Sequence, residues 1–553
     1  MSALSSSPLT FFKPADRTPP IQVQRRDVNW IEITGKLAIG VASILVLVLA
    51  WLYQSHVEAV RILLHNPAGR VYATILGVYA FASTVWSFWR LWLAMRYKPT
   101  PTVSRDRLPK ITVVVPAYNE GPLVGRTIRH LAKADYPEDR IEIIVVDDGS
   151  EDDTWQHIQD AAAEVGSRVK ILHFAENRGK RHVLYEGFKR GTGEIFITVD
   201  SDSLIAPDAL PALVSPMVLD PTVGGVAGNV TVLNRDESII PQMLTVRYVM
   251  TFDYKRAAQS MMGQGAVLCC AGALAAYRRS AIMPVLDQWL NQTWLGGKAR
   301  AGEDHAMTNF ILSQGYNVRY QRSARVWTKS PTKYMSLCKM FLRWARSNVR
   351  ETAHTWSYVF GKFHRGNANG IRFNFIMSAL GMWLPYPLLA AALVLSVFMP
   401  SIFGLKLLAM CVTGASFSML FYLVRERSLH AIFAIVYGFY ATLLLCWVWP
   451  YALMTSHKSI WMTRSKDKAS PSNRPVRMGE GVVTGMSGFI PQPAFANQPA
   501  FAAQLAFAKQ SGFSTQPAFA TRTSYAVGAP RPQVAIGSPM PSMSGPVFAD
   551  AKE

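Results

Sequence analysis

Cysteine is scarce: five in 553 residues, none at a spacing that gathers a zinc or iron–sulfur site. Cys411 and Cys446 fall in apolar runs. Only Cys269, Cys270 and Cys338 are left for the polar region, too few for a disulfide framework, so a reducing compartment is expected. Acid is also in short supply, with 36 Asp and Glu against 57 Lys and Arg, a formal charge of +21. The basic residues crowd beside apolar segments without a nucleic-acid-binding motif. They therefore argue against a nucleic-acid partner and for positive cytoplasmic flanks of membrane spans. A cleavable leader is not evident. The first 36 residues are polar and carry Arg17, Arg25 and Arg26, and no small-residue cleavage site follows the apolar run that starts at Leu37.

What is abundant is hydrophobic sequence, half of the residues, and it is clustered. Mean hydropathy is +0.13. Runs 37–53 and 71–93 are long enough to cross a bilayer, with Trp86, Trp89 and Trp92 near the end of the second. Arg25, Arg26 and Lys36 before them, and Arg96, Lys98, Arg105, Arg107 and Lys110 after, place both flanks in the cytoplasm. Runs 373–399, interrupted by Pro385 and Pro387, and 402–424 predict two further spans. Run 429–454 reads as re-entrant or interfacial, because a full crossing would put His457, Lys458, Arg464, Lys466 and Lys468 outside. The expected organisation is a cytosolic segment 1–36, two spans in 37–95, a cytosolic domain 96–334, amphipathic interfacial helices 335–372, spans in 373–424, and a re-entrant segment 425–468. After 469 the composition shifts to Pro, Ala, Ser, Gly and Gln, with a six-residue repeat from Ser487, and predicts a disordered tail 469–553.

The cytosolic block alternates apolar strands (111–115, 141–146, 195–199) with helical stretches (123–133, 153–164, 182–190). That pattern predicts a doubly wound α/β sheet, which binds ligands at the carboxyl ends of its strands. Segments 116–120, 147–148 and 200–202 sit at such ends. Their chemistry suits a nucleotide diphosphate donor. Asp200 and Asp202 offer oxygen ligands for Mg²⁺ or Mn²⁺ on the diphosphate, although Asp-Ser-Asp is also a common solvated turn. Asp147 and Asp148, with Tyr118 and Glu120 lining the same pocket, are placed to recognise uracil and ribose. Lys180 and Arg181 can contact diphosphate as point charge and fork, or simply form a basic surface turn. Asp304, opening a helix after Gly302 and Glu303, can take a proton from an acceptor hydroxyl, or serve as a helix cap together with Glu303. Arg343 and Trp344, on an amphipathic stretch 335–352, can meet diphosphate and acceptor sugar, or act as a snorkelling Arg and an interfacial Trp.

Taken together, PAYNE (116–120), VVDDGS (145–150), NRGKRH (177–182), TVDSDS (198–203), RAAQS (256–260), YRRS (277–280), GED (302–304) and RWARSNVRE (343–351) resemble the processive family 2 glycosyltransferases. The likeness is strongest to hyaluronan synthases and rhizobial chitin-oligosaccharide synthases, and covers residues 35–468. It implies a glycosyltransferase-A domain with Asp202 on the metal and Asp304 as base. Arg343 and Trp344 would meet diphosphate and acceptor, and Glu303 would lie with the substrate-binding residues. Trp461 and Arg464 would sit on a gating loop over the donor. It further implies UDP-sugar donors, a growing polysaccharide, contact with membrane lipid, and an inner- or plasma-membrane enzyme whose spans export the product. Hyaluronan is the first expectation for that product, a β-linked GlcNAc chain the second and a glucan the third. A transferase adding one sugar to a lipid and a non-catalytic scaffold are the other classes. The sequence departs from the family pattern at Met340, Met462, His305 and Gly272-Ala273.

Overall fold

The computed structural model describes residues 30–52, 55–364 and 366–458. The N-terminal segment, the tail with its repeat, and Trp461, Met462 and Arg464 lie outside them.

Ten strands form among the described residues: β1 (Ile111–Ala117), β2 (Ile141–Asp147), β3 (Val169–His173), β4 (Ile195–Val199), β5 (Ser203–Ile205), β6 (Val223–Val232), β7 (Leu274–Arg278), β8 (Thr293–Trp294), β9 (Gly297–Lys298) and β10 (Asn317–Thr328). Eight of them make one sheet in the order β3-β2-β1-β4-β7-β6-β10-β5, and β8 pairs with β9 apart from it. β1, β2 and β4 are buried along their whole length, because helices cover both faces, and so they read as unbroken apolar runs. Pairing is parallel from β3 to β4. The register sets Ala117 opposite Asp147, which brings the loops after β1 and β2 side by side.

The sheet is mixed where the alternation predicted a doubly wound one. β7 runs antiparallel to β4 and β6, and β5 antiparallel to β10. β5 is three residues long and β7 is Ala-rich, so neither carries the branched apolar signal that marks the first strands.

Two loops at the carboxyl ends lock each other. Thr154, fully buried, accepts from the backbone N–H of Glu120 at 2.7 Å and of Gly121 at 2.8 Å. The Ser150 hydroxyl accepts from the N–H of Asn119 at 2.9 Å, and the Asn119 side chain accepts from the N–H of Glu151 at 2.9 Å. Asn119 takes a left-handed φ of 51° to make this turn.

Helices Pro67–Arg96, Asn369–Phe398 and Pro400–Glu426 are long and apolar enough to cross a membrane. Leu429–Leu444 and Val448–Met454 form a pair bent by 45°, the form of a broken span or a re-entrant loop. The first expected span falls on helix Trp30–Leu52, and helix Ser55–His65 lies between it and the second. Leu37, Val41, Ile44, Phe81 and Phe88 stay exposed on these apolar helices. The Tyr254 hydroxyl donates to Ser87 O at 2.9 Å, and the Tyr97 hydroxyl donates to Tyr320 O at 2.6 Å. Both tie the Pro67–Arg96 helix and its exit to the sheet domain.

The expected amphipathic helix forms as Tyr334–Val359, and part of its basic face packs against the rest of the protein. Arg346 and Arg350 are buried. Arg346 donates to Thr455 Oγ1, and Arg350 to Ala301 O at 2.6 Å and Glu351 at 2.7 Å. Arg346 is satisfied by Thr455, far away in sequence, and Arg350 by its chain neighbour Glu351 and by Ala301 O.

Thr154→Val removes an acceptor shared by two buried N–H groups. The expected outcome is a loss of about 1–3 kcal/mol, read as a lower Tm of the full chain in detergent, with Thr154→Ser close to wild type.

Candidate active site

A cavity of about 1710 Å³ opens between the carboxyl ends of the sheet and the apolar helices. Tyr118, Glu120, Asp148, Lys180, Asp200, Asp202, Glu303, Asp304, Arg343 and Trp344 line it. The same cavity continues past Thr74, Tyr79, Trp86 and Arg90 on the Pro67–Arg96 helix and Met377 to Leu384 on the helix that follows residue 369.

Two predicted residues do not line it. Asp147 is fully buried; its carboxylate accepts from Ser150 and is 2.8 Å from His173 Nδ1. Successive side chains at a strand end point to opposite faces, so only Asp148 of the pair reaches the cavity. Arg181 is also buried. It donates to Trp289 O at 2.7 Å and to Gln292 Oε1 at 3.0 Å, with its guanidinium 5.2 Å from the Trp289 ring. Neighbours on a helix diverge by about 100°, so Lys180 faces the cavity and Arg181 the wall beneath it.

Asp148 accepts from the N–H groups of Arg178 at 2.7 Å and Gly179 at 2.9 Å, and so holds the turn that starts the Lys180–Arg190 helix. Burial pushes its carboxyl up to about 6. Those two N–H groups oppose the shift and the Asp147 charge adds to it. Glu120 accepts from the Ser201 hydroxyl at 2.9 Å, linking the first loop to the Asp200–Asp202 loop.

At the centre the Lys180 ammonium lies 2.5 Å from Asp200 Oδ1 and 2.9 Å from Glu303 Oε1. Gly272 passes over this group; a Cβ there would lie 3.2 Å from Lys180 Nζ. Burial raises the Glu303 carboxyl, but Lys180, with Arg343 farther off, outweighs it and holds Glu303 at about 2. Asp304 goes the other way. Burial raises its carboxyl most and the Glu303 charge adds to that, against Lys180 and the N–H groups of His305 at 2.8 Å and Gly272 at 3.1 Å. Adjacent carboxyls are thus pushed apart, one fixed as an anion and one tuned towards proton exchange.

Gly302 sets the angle between them. Its φ of 73° is left-handed, and a Cβ would lie 1.7 Å from Ser347 Oγ on the Tyr334–Val359 helix. That helix is anchored beside it. Glu351, buried, accepts from Arg350 at 2.7 Å, Asn309 at 3.0 Å and Gln292 at 3.2 Å. Arg343 and Trp344 thereby face the cavity next to Glu303.

For a cation, the donor set is small. Among the described residues no group of three or more His, Cys, Asp or Glu gathers. Asp202 lines the cavity and accepts from Thr328 at 3.1 Å and Ser203 at 3.2 Å, while one oxygen of Asp200 is taken by Lys180. One or two carboxylates completed by substrate phosphates is the Mg²⁺ mode, so Asp202 with Asp200 fits a cation that arrives with a diphosphate.

Thr154, Ser201, Ser347 and Glu351 carry no role in the sequence reading, and Gly272 stands there only as a departure from the family pattern. His305 lines the cavity, and burial drives its imidazole down to about 4. Met340 lines it as well.

Residues 109–347 match the family model described as glycosyltransferase like family 2. The chain is 30% identical over 404 residues to an N-acetylglucosaminyltransferase of Rhizobium leguminosarum bv. viciae, covering 72% of this chain and 92% of that protein. It is 33% identical over 282 residues to a hyaluronan synthase of Streptococcus pyogenes, covering 50% of this chain and 65% of that synthase, just under two thirds of its length. Among solved structures, a Pyrobaculum calidifontis mannosyltransferase in complex with GDP-Man and Mn²⁺ aligns at TM-score 0.47 and 23% identity, over 68% of this chain and 98% of that one.

Gly302→Ala is expected to lower stability by at least about 1–2 kcal/mol through the left-handed backbone alone, with the Ser347 clash added. In thermal melts, Gly302→Ala with Ser347→Gly recovers only the clash component.

Proposed function

The chain belongs to the family 2 glycosyltransferases, and from that premise we propose that it is a processive, inverting β-glycosyltransferase of the cell membrane. It polymerises UDP-sugars on the cytosolic side and passes the polysaccharide out between its helices. The observation that carries the reading is the continuity of one cavity, from the Asp148–Lys180–Asp202 end, past Asp304, to the apolar helices. A transferase that releases its product after one sugar has no use for that extension.

In this reading Tyr118, Glu120 and Asp148 hold the nucleoside, and Lys180, Arg343 and the Asp202–Asp200 pair face the diphosphate. A divalent cation, Mg²⁺ or Mn²⁺, offsets the charge of the departing UDP when bound. Asp304 takes the proton from the acceptor hydroxyl as that oxygen attacks the anomeric carbon. Glu303 stays ionised against Lys180, so the proton goes to Asp304. Trp344 offers a flat apolar face to the acceptor ring. Trp461 and Arg464, outside the described residues, are the proposed gate over the donor. Hyaluronan, from UDP-GlcNAc and UDP-GlcA, is the product put first. The long match to a rhizobial N-acetylglucosaminyltransferase supports a β-linked GlcNAc chain as the second reading.

With purified protein in nanodiscs, UDP release and polymer mass distinguish these products. Polymer only with both donors supports the first; polymer from UDP-GlcNAc alone supports the second. Asp304→Asn is expected to cut UDP release by about 10²–10⁴-fold while UDP still binds; full activity in that variant rejects Asp304 as base. UDP affinity is expected to weaken as pH falls through about 6, where Asp148 takes up its proton and loosens the Arg178–Gly179 turn. Calorimetry on Asp148→Asn should show weak binding with no such pH dependence.

A further inference from the structure

The helix Glu303–Ser313, which opens with the two site carboxylates, runs alongside the Tyr334–Val359 helix, and their contacts fix which turns face each other. Gly302 meets the second helix at Ser347, where a Cβ would lie 1.7 Å from Oγ. Two turns on, Asn309 donates to Glu351 O and Oε2, both at 3.0 Å, and accepts from the Thr355 hydroxyl at 2.8 Å. His305 stands between these two points, one turn before Asn309 on the same side of its helix. It therefore lies across from the turn 348–352. Asn348 and Thr352 of that turn line the cavity together with His305.

Two polar groups at this level have no partner in the protein. The His305 side chain makes no hydrogen bond among the described residues. Its Nδ1 is sealed in the wall and unpaired, while the residue as a whole is only half-buried. That leaves Nε2 as the nitrogen that reaches the cavity. A buried unpaired N–H is rarer than a buried unpaired acceptor, so the proton belongs on Nε2, where a ligand or water can accept it. The ring is uncharged near pH 7, because burial holds it down at about 4. Asn348 is also half-buried, and no hydrogen bond ties its amide among the described residues. Its neighbour Thr355 is taken up by Asn309 and Glu351 O. Asn348 follows Trp344 by one turn, and His305 follows Asp304 by one residue, so the two open groups adjoin the indole and the base on one wall.

We propose that His305 and Asn348 are acceptor-binding residues. The His305 Nε2–H donates to an oxygen of the sugar ring that lies against Trp344, and the Asn348 amide pairs with a second polar group of that ring. Together they turn the attacking hydroxyl towards Asp304. This rests on the transferase reading above and adds two residues to it, one of them at a position where the chain departs from the family pattern. Both groups are uncharged, so the ring is recognised by the placement of its hydroxyl and amide groups and not by ionic attraction.

The test is calorimetry on the full chain in nanodiscs with UDP and with two tetrasaccharides, β-linked GlcNAc and alternating GlcNAc–glucuronate, so that it holds whichever polymer is made. His305→Phe keeps a ring and removes both nitrogens; Asn348→Leu keeps the shape and removes the amide. Each should weaken the tetrasaccharide that wild type binds by about three- to tenfold, the loss of one neutral hydrogen bond, and leave UDP affinity unchanged. A Gln side chain sets its amide near the Nε2 position and an Asn side chain near Nδ1. His305→Gln should therefore restore most of the binding and His305→Asn should not. No tetrasaccharide binding by wild type, or unchanged binding in His305→Phe and Asn348→Leu, overturns the subsite. So does a parallel fall in UDP affinity, which assigns both residues to holding the helices together. Equal binding by His305→Gln and His305→Asn overturns the Nε2 contact. UDP release is followed on the same samples. Turnover without these losses rejects the subsite alone; the losses without turnover in wild type reject the transferase reading alone.

Discussion

One buried ammonium organises the chemistry. Lys180 bridges Asp200 and Glu303, carboxylates from the ends of two different elements that would repel each other in its absence. The pairing keeps Glu303 ionised in a site where burial alone would neutralise it. The fixed charge of Glu303 in turn raises its neighbour Asp304. Two adjacent acidic residues with the same intrinsic chemistry are thus given different tasks by one cation.

The rest of the architecture serves that arrangement. β1, β2 and β4 bring three loops to one edge, where Thr154, Ser150 and Ser201 stitch them together. The Tyr334–Val359 helix lies across the opening. It is fixed by Glu351 from below and fits against Gly302 where a side chain could not. Because the same helix carries Arg343 and Trp344 and also bonds Thr455, it joins the carboxylate site to the bent apolar pair Leu429–Leu444 and Val448–Met454. The cavity changes character along its length, from carboxylates paired with lysine at the sheet to arginines and a lysine beside the apolar helices.

Much of this was legible in the sequence, and the failures have physical causes. β1, β2 and β4 announce themselves as buried apolar runs, and their carboxyl ends locate the site. The antiparallel β5 and β7 do not, being short or Ala-rich. Reading Asp147 with Asp148, and Arg181 with Lys180, as pairs ignored side-chain direction, which sends one of each pair into the wall. The helix around Arg343 shows a basic stripe that looks like a membrane surface. Its partners Ala301 O and Thr455 lie far away in sequence and are invisible to local periodicity. Thr154 matters through contacts more than 25 residues away, and no local pattern marks it.

Burial raises the proton affinity of Asp304, and the Glu303 charge, clamped by Lys180, raises it further. The most direct measurement is the pH profile of kcat/KM for UDP release, wild type against Glu303→Gln. Removing that charge removes a raising influence on Asp304, so the acid limb should move to lower pH. An acid limb that stays in place, or moves to higher pH, would contradict the account.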